Sequence, residues 1–204
     1  MIAGFLVDVP KVGNLYETIR NLFFHVPMSW TAVVAFLVSM VYGVKFLVKR
    51  NLDDDIASSS SASLGLMFCI LATVTGSLWA KFNWGSFWNW DPRETSIFVL
   101  LLIYGAYFAL RSALGEEEKR ATLSAAYSII AGVTVPFFIF IMPRVMASLH
   151  PDPIVNARGK IEMNGTMLVV FISSLAGFTG LYVWMLNLRV RAERLELKYH
   201  DEVA

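Results

Sequence analysis

The sequence predicts an all-α, polytopic membrane helix bundle, and three observations carry that reading. Hydrophobic residues make up 56% of the 204 residues and charged residues only 16%, against roughly 25% charged in an ordinary soluble domain. The mean hydropathy of +0.58 implies more apolar surface than a soluble domain of this size can bury. The apolar residues also fall into five continuous runs with no period-two alternation, which argues for spanning helices and against an outer-membrane barrel. The same composition excludes disorder, coiled coil and collagen. A formal net charge of +1 gives no reason to expect nucleic acid as a partner.

Taken in chain order, an N-terminal segment, 1–27, precedes the first run. It reads as amphipathic, with Phe5, Leu6, Leu22, Phe23 and Phe24 turned to lipid. The spans are predicted at 28–48, 62–80, 96–114, 122–143 and 166–188, each close to the roughly 20 residues that cross a 30 Å hydrocarbon core. Lys45 and Arg111 lie near span ends, where long side chains snorkel to the headgroups. Pro136 is expected to kink the fourth span. Residues 51–61, with Asp53, Asp54, Asp55 and four serines at 58–61, read as a solvated turn, and 115–121 as another. The tail, 189–204, alternates charge with Leu188 and Leu195, so the last helix is expected to continue beyond the membrane. Cys69, the single cysteine, leaves no disulfide, Cys-x-x-Cys pair or c-type haem attachment site.

Orientation follows from Lys and Arg in the connections. Ten of the seventeen lie at the ends that carry 51–61, 115–121 and the tail, which places those in the cytoplasm. The segment 1–27 and the loops 81–95 and 144–165 then lie outside.

The outer loop 81–95 holds the densest chemistry. With Trp79, residues Trp84, Trp88 and Trp90 place four of six tryptophans within twelve positions. An aromatic belt at the headgroups accounts for Trp79. For the cluster itself, belt and ligand platform remain open alternatives. Asp91, Pro92 and Glu94 stand at N-cap, N1 and N3 of the following span, a capping-box pattern that needs no further function. Arg93 is left over, and beside indole rings it suits an anion such as a carboxylate.

A flat ligand with acidic edges would use these parts together, and haem fits, with an apolar macrocycle, two propionates and an iron that takes axial ligands. Of three histidines, His200 falls in the tail, while His25 and His150 fall in outer segments on the side of the tryptophans. Neutral imidazoles are common axial ligands.

Trp84, Gly85, Trp88, Trp90, Asp91 and Arg93 match the pattern W-G-x-x-W-x-W-D-x-R, which resembles the tryptophan-rich WWD motif of haem-handling proteins. Within that superfamily the chain most resembles the CcmC family of the cytochrome c maturation system, from about residue 22 to residue 188. The contexts His25-Val26-Pro27, Val74-Thr75-Gly76-Ser77 and Ser148-Leu149-His150 belong to the same likeness. The resemblance implies a six-span bundle in the bacterial inner membrane, of which five spans are in this chain. It also leads to the expectation of a further span upstream of Met1. It implies transient, non-covalent haem b on the periplasmic face, with His25 and His150 as axial ligands and Trp84, Trp88, Trp90, Gly85 and Asp91 as platform. Arg93, with Arg144 or Arg158, would contact the propionates. The implied partners are the periplasmic haem chaperone CcmE, the ATP-cassette pair CcmA–CcmB, and CcmD, and the implied role is haem transfer without catalysis. One departure is Glu94, where the family has Leu, which is closer to the longer CcsA-type haem lyases. A lyase component is therefore the first rival reading. A b-type haem anchor is disfavoured because both histidines fall at helix ends, and a small transporter with a tryptophan belt would hold no haem at all.

Overall fold

The computed structural model describes residues 2–9, 15–151, 160–161 and 163–203, with side chains through Tyr199. Every regular element among them is helical. A short α1, Ile2–Leu6, and a 3-10 helix, Tyr16–Phe23, lead into α2, His25–Lys49. Then come α3, Leu52–Trp84, α4, Pro92–Ala113, and α5, Glu117–Pro136. A π-helical stretch, Phe137–Ile141, a short α6, Met142–Val145, and α7, Gly165–Val203, complete the chain. Five helical stretches are long and apolar enough to cross a membrane, so this is a multi-pass membrane bundle.

The α2 helix packs most extensively on α3 and α5, with α7 covering α2 and α3. Phe36, Phe68, Leu100, Tyr104 and Tyr182 are fully or almost fully buried where they meet, and Phe36 stacks on Tyr104 with ring centroids 3.6 Å apart. Because lipid is as apolar as these side chains, close packing and buried hydrogen bonds hold such a bundle together.

Three sequence-based expectations change. First, residues 51–61 are not a solvated turn. Asn51 caps α3 by accepting from the Asp53 N–H at 3.0 Å, the three aspartates fill the first turn where the helix dipole favours them, and Ser58, Ser59, Ser60 and Ser61 are all buried. Low hydropathy made these serines read as loop. Their small volume instead lets α3 approach α2 closely, and their hydroxyls find carbonyls: Ser58 donates to Ser39 O at 2.9 Å and Ser61 to Ala35 O at 2.7 Å. Second, Arg111 does not snorkel. It forks onto the buried Asp55 carboxylate at 2.7 and 2.9 Å, tying α4 to α3. Third, Phe23 does not face lipid. It is buried with Met167 and Phe171 of α7, and its carbonyl accepts from Ser174 at 2.5 Å.

Two other expectations stand. The last helix does run on past the apolar run. Pro136 does interrupt the fourth span, as the end of α5 and the start of π-helical winding.

Candidate functional site

The site is assembled where α3 ends and α4 begins. Trp84 is the last residue of α3, and Gly85 turns the chain with φ +81°, a left-handed conformation that glycine adopts without strain. At the far side of the loop Asp91 caps α4, accepting from the Arg93 N–H at 2.9 Å. Glu94 reaches back to the Asn89 and Asp91 N–H groups at 2.7 and 3.3 Å through its Oε2. The capping box read from the sequence is therefore present.

Asp91 has a second duty that the capping pattern did not reveal. Its carboxylate also accepts from the Ser148 hydroxyl at 3.0 Å, the Leu149 N–H at 2.7 Å and the His150 Nδ1 at 2.8 Å. One buried side chain thus fastens the loop before α7 to the start of α4. Burial opposes its ionisation, but the Arg93 and Leu149 N–H groups, His150 and Ser148 outweigh it and hold the carboxyl below its ordinary value.

A carboxylate only accepts, so His150 carries its proton on Nδ1 and leaves the Nε2 lone pair bare. Burial, helped by the nearby Arg93 charge, lowers the affinity of this imidazole for a second proton despite the opposing pull of Asp91. The neutral ring sits between two indoles: Trp79 lies nearly parallel at 6.2 Å and Trp84 edge-on at 4.7 Å.

His25 begins α2, and its Nδ1 meets the Ala72 carbonyl of α3 at 2.9 Å and the Thr75 hydroxyl at 3.2 Å. The carbonyl again forces the proton onto Nδ1 and leaves Nε2 bare. Gly76 makes the approach possible, because a Cβ there would stand 2.8 Å from His25 Cε1. The Val74-Thr75-Gly76-Ser77 stretch is therefore the seat of the histidine.

Both histidines line one cavity of about 360 Å³, within the usual range of small-molecule sites, about 300–1,000 Å³. Trp79, Trp88, Arg93, Glu94 and Arg144 share its wall, and Val26, Ile97, Phe138, Phe140 and Met167 make much of the rest apolar. Of the residues singled out from the sequence, His25, His150, Trp88, Arg93 and Arg144 come together here. Trp84, Gly85, Trp90 and Asp91 do not line the cavity. Trp84 backs His150, Asp91 holds it, and Gly85 turns the chain. Trp90, 70% exposed, faces outward in a groove with Trp88 and Phe98. Arg158 lies outside the described residues, as does the side chain of His200.

Trp79 is the main residue that the sequence reading misplaced. It is no mere belt residue: its Nε1–H donates to Thr18 O at 3.1 Å, and its ring forms cavity wall. The missed signal is the spacing Ala72, Gly76, Trp79, which puts all three on one face of α3. Glu94 also enters the wall.

Fold and site together define a polytopic α-helical membrane protein with a cavity at one end of the bundle, walled by indole rings and presenting two bare imidazole nitrogens. A family model described as CcmC, "Heme exporter protein C", matches residues 1–204, and the chain belongs to that family. Relatives bearing that name include one from Bradyrhizobium diazoefficiens, 29% identical over 88% of this chain and 67% of its own length. A second, from Rhodobacter capsulatus, is 26% identical over 95% of this chain and 79% of its own. A third, from Escherichia coli K12, is 34% identical over 64% of this chain and 51% of its own.

Proposed function

We propose that this chain takes up haem in the cavity at the outer end of the bundle and passes it on for cytochrome c maturation, as a transfer protein and not a lyase. One observation carries the reading. The two histidines that line one largely apolar cavity both have Nδ1 committed to a fixed acceptor and Nε2 left bare. That is the state an iron-ligating imidazole requires, and an Nδ1 acceptor is the usual device for orienting it. Haem, the cargo, brings an iron with two open axial positions, an apolar macrocycle and two carboxylates.

The residues present fit that cargo. His25 and His150 supply Nε2 to the iron. Trp79 and Trp88, which line the cavity, would hold the macrocycle, in place of the Trp84, Trp88 and Trp90 platform expected from the motif. Arg93 and Arg144 stand in the same wall for the propionates. The haem is b-type, held without a covalent bond, since Cys69 is the only cysteine and is buried inside the bundle. The site faces the periplasm across the bacterial inner membrane, supported by the ten Lys and Arg residues at the opposite end. Hand-over is to the haem chaperone CcmE, beside CcmA–CcmB and CcmD. It proceeds by exchange of His150, because that ligand sits on a connection fastened through Asp91, whereas His25 is seated between two packed helices.

The optical spectrum of the purified chain tests the reading. Wild type loaded with haem is expected to show a Soret band that His25→Ala and His150→Ala each shift and weaken. A band unaltered in both variants would overturn the ligand assignment. A wild type that retains no haem at all would overturn the function.

A further inference from the structure

The capping box at the start of α4 uses only half of Glu94. Its Oε2 accepts from two backbone N–H groups. The other oxygen, Oε1, is buried with no hydrogen-bond partner among the described residues, on a residue that is 9% exposed. Glu94 also belongs to the wall of the cavity that holds His25 and His150. A cap alone does not explain this. Gln serves equally well at N3, and a buried carboxylate lacking a second partner carries a desolvation cost that the amide avoids.

We propose that Glu94 is an oxidation-state selector: its negative charge, in a cavity wall that also holds Arg93 and Arg144, favours ferric over ferrous haem relative to a neutral residue at that position. The inference rests on the haem reading above. Ferric haem held by two neutral imidazoles carries one more positive charge at the iron than ferrous haem, and an anion in a poorly hydrated wall distinguishes the two by Coulomb attraction alone. Across a cavity of about 360 Å³, in a protein medium of effective dielectric about 20, one unit charge is worth about a tenfold difference in affinity. Glu94 is not a ligand in this scheme and no electron moves. It acts through the field it sets at the site.

The test uses the full chain in detergent micelles, titrated anaerobically with ferric haem and with dithionite-reduced haem, for wild type and Glu94→Gln. Gln keeps one acceptor oxygen for the Asn89 and Asp91 N–H groups and removes the charge, with its NH2 group in the place of the buried Oε1. The ratio of ferric to ferrous affinity is expected to fall about tenfold, which is a rise of about 59 mV in the one-electron midpoint potential. A cooperative melt of the haem-free variant checks that it remains folded, since one acceptor for the N–H groups at the start of α4 is retained. Equal weakening of both oxidation states, or an unchanged ratio, would overturn the selector while leaving the haem reading intact. A wild type that binds neither form would overturn the haem reading itself, and this inference with it.

Discussion

The two histidines of the cavity are held in contrasting ways. His25 is seated between α2 and α3, its Nδ1 proton given to a neutral carbonyl and its ring pressed against a glycine that leaves room for nothing larger. His150 stands on a connection, its Nδ1 proton given to a carboxylate that also holds Ser148 and Leu149. The first is fixed by the packing of the bundle, and moving it means moving a helix. The second is fixed by a single side chain, and that same side chain polarises it. A neutral acceptor leaves the imidazole an ordinary ligand, while an anionic one makes it a stronger base toward a metal. The proposed transfer would be served by one permanent ligand and one that can leave with its loop.

The largest expected effect strikes the packed half. Gly76→Ala would put a Cβ 2.8 Å from His25 Cε1, so the ring must turn or the helices part, an overpacking cost of about 1–3 kcal/mol. With Nε2 no longer aimed, haem retention is expected to be lost, as for His25→Ala. The control is Gly177→Ala, which meets nothing within 4 Å and should retain haem fully. Haem spectra and melting curves of the two variants check both halves of the contrast.

The polarised half should respond less severely. Asp91→Asn keeps one acceptor oxygen but turns an N–H donor toward groups that are themselves donors, such as the Leu149 N–H. Substitution of such a partner behind a metal-bound imidazole typically costs about 10–100-fold in affinity. Titration of the variant with haem measures it. A loss as complete as that of Gly76→Ala would mean that both histidines depend equally on packing.

Acid offers a graded version of the same test. The fold holds His150 below its ordinary pKa of 6.5 because it is buried, so the unfolded chain takes up this proton first as the pH falls. Stability of the haem-free protein should therefore drop below that value, where the unfolded state binds more protons. Asp91 has its carboxyl depressed from 3.8. Its contribution is in full force above that value and is lost only as the pH falls through the lower folded value, so it does not feed the slope near pH 6. Melting curves taken from about pH 7 to about pH 5 should slope downward, and His150→Ala should flatten the slope.

The smallest effect is expected outside both halves. Trp90→Ala removes a motif residue that faces outward and lines no part of the cavity, so haem affinity should change by no more than about 0.5 kcal/mol. A tenfold loss in a haem titration would extend the site into the Trp88–Trp90–Phe98 groove.

Much of this site was legible because its parts are chemically rare in an apolar chain. Two histidines, four clustered tryptophans and Arg93 stood out against the background, and all but Trp84 and Trp90 reach the cavity. The capping pattern of Asp91 and Glu94 was legible too, since it depends only on local spacing. The work Asp91 does for His150 was not, because the two residues are far apart in sequence and meet only when α4 and the loop before α7 dock. Trp79 was hidden for a related reason: an indole at a span end suits the headgroups as well as a cavity, and only the packing of α3 chose between them.

By itself the sequence determined that this chain crosses a membrane as helices, because backbone polar groups in lipid must be satisfied within the segment and the apolar runs have the necessary length. It also determined which residues carry unusual chemistry. Only the tertiary structure decided which of them share a cavity, that a run of serines is core rather than loop, and that Asp55 and Arg111 satisfy each other. The reason is physical. Hydropathy measures what a residue loses on leaving water, whereas burial of a serine, an aspartate or an arginine depends on whether the fold brings it a partner, and partners come from other helices.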